Sequence, residues 1–153
     1  MGQNDIRNSP MNIIGISHIG IASKDPQKTK WFFQEVLALP FEGEELVKAQ
    51  KTNTIMFGSA NSNGQAHSRL EILENESGED GPIKKFIEKK GAGIHHLALQ
   101  VDDVEAAIAR MKEHGVEMID ESPRGGAHDT QIAFVHPRST GGVLVELVQE
   151  SDS

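Results

Sequence analysis

The chain reads as an α+β domain built from two βαβββ modules. Three observations point there. A strand–helix–strand–strand–strand order occurs twice, first from about Ile13 and again from about Ile94. The two copies keep register: His18 precedes the helix cap Asp25 by seven residues, and His96 precedes Asp103 by seven. The length of 153 residues suits a single domain rather than a solenoid of many repeats. The expected organisation is a loose tail over 1–10, one domain over 11–149 and a short tail over 150–153. Within the domain, module one covers about 11–75, a linker helix about 82–90 and module two about 94–149.

The elements follow in order. Ile13–Ala22 is β-branched and apolar with small residues interleaved, which predicts a strand. Asp25-Pro26 predicts a helix start, because Asp25 can cap it and Pro26 needs no donor at the first helical position. Trp31, Phe32, Val36 and Leu37 fall at helical spacing and predict its buried stripe, with Trp31 in the core. Strands are predicted near Glu45–Lys48 and Asn53–Phe57, a turn at Asn61–Gly64, and another strand at His67–Glu74.

Asn75–Gly81 is polar and acidic and reads as a surface linker. Gly81-Pro82 opens a short helix with Ile83, Phe86 and Ile87 on one side, closed by Gly91. Ile94–Val101 is the strand that starts the second module. Asp102-Asp103 caps a helix that turns Val104, Ala107, Ile108 and Met111 inward and ends at Gly115. Strands near Val116–Ile119, Thr130–Val135 and Val143–Gln149 complete the chain.

Composition narrows the chemistry. Lys plus Arg is 15 and Asp plus Glu is 23, a formal charge of −8, so the field of the protein repels nucleic acid and anionic membrane surfaces. Cys is absent, which excludes disulfides, thiolate metal sites and Cys nucleophiles and agrees with a reducing, cytoplasmic setting. No apolar run approaches the ~20 residues of a membrane helix, and MGQNDIRNSP does not read as an export signal. Seven His residues and the carboxylates are left to carry any chemistry.

Each module places a His on its first strand and a Glu on its last: His18 with Glu71, and His96 with Glu146. Side chains alternate along a strand, so His18, Gly20 and Ala22 share one face, as do His96, Ala98 and Gln100. Glu71 is flanked by Leu70 and Ile72, and Glu146 by Val145 and Leu147. A strand Glu taken singly is usually an outward charge. If the modules pack about a pseudo-twofold axis, two matched His–Glu pairs instead converge on one point of a curved sheet. Two imidazoles and two carboxylates suit a divalent first-row metal. Such an ion with two open positions would stabilise an oxyanion developing next to an abstracted proton.

These residues resemble the vicinal oxygen chelate (glyoxalase-like) superfamily, whose motif is matched by Ser17–Ala22. Within it, the run from Gly81 to Ala98 and the run Ile132–Val148, containing HPRSTGGVLVEL, are similar to the methylmalonyl-CoA epimerase family. The resemblance covers nearly all of Ile13 to Gln149. It implies one cup-shaped mixed sheet around a metal held by His18, Glu71, His96 and Glu146. That metal would commonly be Co2+, with Mn2+, Ni2+ or Zn2+ as alternatives. It implies interconversion of (R)- and (S)-methylmalonyl-CoA by C2 proton abstraction through a metal-chelated enolate, with Glu146 doubling as ligand and base, and it implies a homodimer. The strand Asn53–Phe57 lacks the carboxylate that some members carry there, Ala49-Gln50-Lys51 keeps only the Gln of a common motif, and Gln131 replaces a frequent basic residue. The loop Asn61–His67 is long for the family.

Among the other residues, Arg138-Ser139-Thr140-Gly141-Gly142 reads as a turn whose amides and Ser139 could hold the substrate carboxylate. Arg138 and Ser139 are therefore the ligand-binding candidates. His95 reads as a buried, hydrogen-bonded His and His114 as a helix-end residue. His67, His128 and His136 fall in loops or at strand ends. Lys84, Lys85, Lys89 and Lys90 read first as a solvated helix face and second as an attraction for CoA phosphates. Rival functions on the same scaffold are a glyoxalase-I-type lactoylglutathione lyase, a ring-cleaving dioxygenase and a metal-free binding module.

Overall fold

The computed structural model describes residues 11–58, 68–76 and 80–151. Eight strands form one mixed sheet: β1 (Ile13–Ala22), β2 (Phe41–Val47), β3 (Thr52–Phe57), β4 (Arg69–Asn75), β5 (Gly93–Val101), β6 (Arg124–Gly125), β7 (Gln131–Val135) and β8 (Val145–Gln149). Three α-helices accompany them: α1 (Pro26–Trp31), α2 (Pro82–Lys90) and α3 (Val104–Glu113). The order across the sheet is β2-β3-β4-β1-β5-β8-β7-β6. β1 and β5 pair antiparallel at the centre, while β1–β4 and β5–β8 are the parallel pairs. The order is therefore symmetric about the β1–β5 seam, as the duplicated sequence requires.

The sheet curls until its ends meet. The His128 amide, just after β6, donates to Glu45 Oε1 on β2 at 2.9 Å, and Arg124 Nη1 reaches the Ala49 carbonyl at 3.4 Å. Strands at opposite ends of the order thus close the rim of a cup.

Alternation sorts each strand between the two surfaces. On the convex side α3 packs Val104, Ala107 and Ile108 against Val101, Ala133, Val135 and Leu147. The corresponding layer of the first module is Phe33 with Ile55, Phe57 and Ile72. α2 lies on the other surface, where Ile83 packs on Ala22 and Leu73.

The expected helix starts are present. Asp25 accepts the Lys28 amide, Asp103 accepts the Ala106 amide, and Gly81 precedes Pro82 at the start of α2. Gly91 ends α2 with φ +81, a conformation a β-carbon disfavours.

Two expectations are corrected. The stripe Trp31, Phe32, Val36 and Leu37 is exposed, Trp31 to 55%, and Phe33 is buried instead. The α-helix ends at Trp31 and the chain continues over Phe32–Val36 as a π-turn, with the Leu37 amide bonded five residues back to the Phe32 carbonyl at 2.9 Å. The wider turn breaks the 3.6-residue period and rotates Phe33 inward. Val116–Ile119 is not a strand either. It makes one isolated bridge, Met118 to Val135, and the second module's short edge strand is Arg124–Gly125. Between them Asp120 takes the Phe134 amide on its own carboxylate at 2.8 Å, and Pro123 has no N–H to give a ladder.

Other strands shift at their ends. β2 starts at Phe41 and stops before Lys48, and β8 starts at Val145. The expected turn Asn61–Gly64, the loop Asn61–His67 and the tail 1–10 lie outside the described residues, as do residues 77–79 of the linker.

Candidate metal centre

The cup encloses a cavity of about 390 Å³. Its floor is the centre of the sheet. His18 on β1, His96 on β5, Glu71 on β4 and Glu146 on β8 all line it, and all four are buried. The register explains the convergence. Gly20 lies opposite His96 across the β1–β5 seam, and each Glu sits on the strand paired parallel to its module's His strand.

His18, His96 and Glu146 come together most closely. His18 Nε2 lies 3.0 Å from His96 Nε2 and 3.3 Å from Glu146 Oε1, and His96 Nε2 lies 2.9 Å from the same oxygen. Donors bound at about 2.1 Å in neighbouring positions stand about 3.0 Å apart in six-coordination and about 3.4 Å in four-coordination. The three atoms therefore form one face of a coordination shell, and two imidazoles with a carboxylate suit a divalent transition metal. Glu71 is at the side of this group, its Oε2 3.5 Å from His18 Nδ1, where Ser17 Oγ also approaches to 3.1 Å.

These groups act on one another electrostatically. Burial lowers the His18 pKa, but the hydrogen-bonded Glu146 and the charge of Glu71 outweigh it and leave the imidazole above its ordinary value. Burial likewise pushes Glu71 up. Glu146 is also desolvated, yet its hydrogen bonds with His18 and His96 hold it at about 2.

The ring of His96 is held on several sides. Phe134 packs edge-on at 5.6 Å between centroids. Opposite is Gly20, where a β-carbon would come within 3.0 Å of three ring atoms. His95 also lines the cavity, with its Nδ1 2.9 Å from that of His96. Desolvation lowers the His95 pKa to about 4, so it is a neutral imidazole at ordinary pH.

Arg138 and Ser139 are not brought to this cavity. Arg138 pairs with Glu117 at 3.1 Å, and Ser139 Oγ accepts the Glu117 amide at 2.9 Å. His136 is also drawn to Glu117, at 3.8 Å. Two other arginines line the cavity. Arg69 is two residues before Glu71 on the same strand face and bonds Glu42 at 2.9 Å. Arg124 stacks 5.6 Å from the Phe134 ring. Alternation from Glu71 would have found Arg69. Nothing periodic marks Arg124, because its strand is two residues long. Glu150, expected in a tail, belongs to the wall. Lys84, Lys85, Lys89 and Lys90 are exposed on α2, with Lys84 paired to Asp80 at 3.0 Å.

The profile of the Glyoxalase/Bleomycin resistance protein/Dioxygenase superfamily matches residues 17–134. An uncharacterised protein of Bacillus subtilis, YqjC, is 38% identical over 135 residues, covering 88% of this chain and 91% of that one. A mitochondrial methylmalonyl-CoA epimerase of Homo sapiens is 31% identical over 153 residues, covering 94% of this chain and 78% of its own. A solved methylmalonyl-CoA epimerase in complex with methylmalonyl-CoA and NH4+ superposes with a TM-score of 0.83 at 31% identity, covering 92% of this chain and 97% of that one. The chain belongs to this superfamily and, within it, to the methylmalonyl-CoA epimerase family.

Proposed function

We propose that the chain is an isomerase that interconverts the C2 epimers of an acyl-CoA bearing a free carboxylate, methylmalonyl-CoA. In this reading His18, His96 and Glu146, joined by Glu71 as fourth donor, hold a divalent ion. Co2+ is the first candidate, followed by Mn2+, Ni2+ and Zn2+. The observation that carries it is the meeting of three donor atoms from three strands within 2.9–3.3 Å at the floor of the cavity. Membership of the methylmalonyl-CoA epimerase family supports the choice of substrate.

When bound, the ion supplies Lewis acidity to an oxyanion that develops as the C2 proton leaves. The chain's own groups do the rest. Apolar Val47, Leu73, Ile83, Leu144 and Val148 line the cavity and limit water around the reacting carbon. Glu146 takes the proton from C2 on its carboxylate, and return of a proton to the opposite face of the planar carbon inverts the centre. β3 turns Thr52 and Thr54 into the cavity and offers no carboxylate there.

A homodimer in the cytoplasm is part of this reading. Exposed apolar residues on α1 and its π-turn (Trp31, Phe32, Val36) support the first, and the Cys-free chain supports the second. No helix among the described residues is long and apolar enough to cross a membrane.

The test is to incubate the Co2+-loaded protein with one methylmalonyl-CoA epimer in deuterated water. Epimerisation with deuterium uptake at C2 is expected. No exchange above the enzyme-free rate with any of the four metals sinks the reading, and conversion of a glutathione hemithioacetal in its place makes the chain a lactoylglutathione lyase.

A further inference from the structure

His95 lines the cavity wall and has no part in the reaction described above. It lies directly beside a proposed ligand, but its strand neighbour His96 occupies the alternate position. Only the two Nδ1 atoms meet, at 2.9 Å. The rings stand nearly perpendicular, at 88° with centroids 5.2 Å apart. His95 is fixed from behind by Phe86 of α2, edge-on at 4.9 Å, and Lys90 Nζ sits 5.9 Å over the outer face of Phe86. A buried contact at that distance between two ring nitrogens is a hydrogen bond, in which one nitrogen carries the hydrogen and the other the lone pair.

The direction of this bond follows from the other end of the His96 ring. Nε2 of His96 faces His18 Nε2 and Glu146 Oε1 and must present a lone pair to serve as a metal ligand. In a neutral imidazole the hydrogen then lies on Nδ1. We propose that His95 is the positioning residue of the metal centre: its Nδ1 accepts the hydrogen of His96 Nδ1, which selects the His96 tautomer that leaves Nε2 open to a divalent ion. The inference rests on the proposed function for its metal. The partner in this role is commonly a carboxylate or a backbone carbonyl. Here a second imidazole fills it, itself held by the helix between the modules. His95 thereby ties α2 to the ligand set, and Phe134 and Gly20 keep the His96 ring in plane for the bond.

The test uses the full chain and two variants. His95→Phe keeps a ring against Phe86 and removes the acceptor. His95→Asn restores an acceptor oxygen near the position of Nδ1. Titration of the metal-free proteins with Co2+ is expected to show affinity reduced about 10–100-fold in His95→Phe and recovered to within a few-fold in His95→Asn. Thermal melting of both variants controls for folding. In the Zn2+-loaded wild type, ¹⁵N shifts of His96 are expected to report a hydrogen-bonded hydrogen on Nδ1, with that bond lost in His95→Phe. Wild-type Co2+ affinity in His95→Phe overturns the proposal, as does an unchanged ¹⁵N shift at His96 Nδ1. If the wild-type protein binds no divalent ion, the proposed function fails and this inference with it, whereas wild-type binding that His95→Phe leaves unchanged overturns the inference alone.

Discussion

His18 Nε2 and His96 Nε2, on the two central strands, stand 3.0 Å apart across the seam between the modules. Neither module alone assembles this pair. Each contributes one imidazole and one carboxylate, and the antiparallel pairing of β1 with β5 brings the halves into register. The site therefore depends on the β1–β5 seam, and the His128 amide on Glu45 joins the two ends of the strand order around the same cavity.

Removing a donor from the three-atom group is expected to cost more than removing its support. His96→Ala should lower Co2+ affinity by more than about 100-fold, beyond the range typical of outer-shell changes. Metal per protein after dialysis, by elemental analysis, is the measurement. Full occupancy in His96→Ala would remove His96 from the ligand set.

Gly20→Ala tests the cradle opposite His96. A β-carbon there would lie within 3.0 Å of Cε1, Nδ1 and Nε2 of His96, so the imidazole must move or the strands must part. Overpacking of this kind costs about 1–3 kcal/mol. The expected result is a lower melting temperature together with weakened Co2+ binding. A variant with wild-type melting and wild-type binding would show that the ring has room the structure does not give it.

Phe33 and Trp31 make a paired test of the π-turn. Phe33 is 8% exposed and packs with Ile55, Phe57 and Ile72, whereas Trp31 is 55% exposed. Phe33→Ala is expected to destabilise by about 3–5 kcal/mol. Trp31→Ala should stay within about 0.5 kcal/mol in the monomer. Denaturant unfolding of both variants checks this. A reversal of the two values would restore the regular helical stripe that the spacing of aromatic residues suggests.

That helix shows why some elements were legible in the sequence and others were not. Caps are local chemistry, so Asp25, Asp103 and the Gly81-Pro82 start could be read directly and appear where expected. The His18–His96 pairing could be read because duplication writes the same pattern twice. Periodicity assumes a uniform winding, and the π-turn at Phe32–Val36 breaks that assumption. Arg69 was available from alternation with Glu71. Arg124 reaches the cavity only because the sheet curls, which no local pattern records. The turn that holds Arg138 and Ser139 sits beside Glu117, a contact between segments that no local pattern records either.

The pH dependence of metal binding follows from the protons that the donor groups hold. His18 and Glu71 both have raised pKa values in the metal-free protein, the first through Glu146 and Glu71 despite burial, the second through burial itself. Donor atoms must be deprotonated to bind an ion, so binding expels these protons and affinity falls as pH falls. The signs in the metal-free protein differ by group. The raised His18 value contributes stability that is present below its unfolded pKa of about 6.5 and is lost as pH rises through the folded value. The depressed Glu146, at about 2, contributes stability present above its unfolded value and lost only in strong acid. A bound ion replaces the His18 proton, so the stability gained from metal should grow with rising pH. Melting with and without Co2+ between about pH 5.5 and 8, with proton release measured by calorimetry in buffers of different ionisation enthalpy, is expected to show a widening gap and net proton release at the acid end. A gap independent of pH, with no protons released, would mean that His18 does not bind the ion.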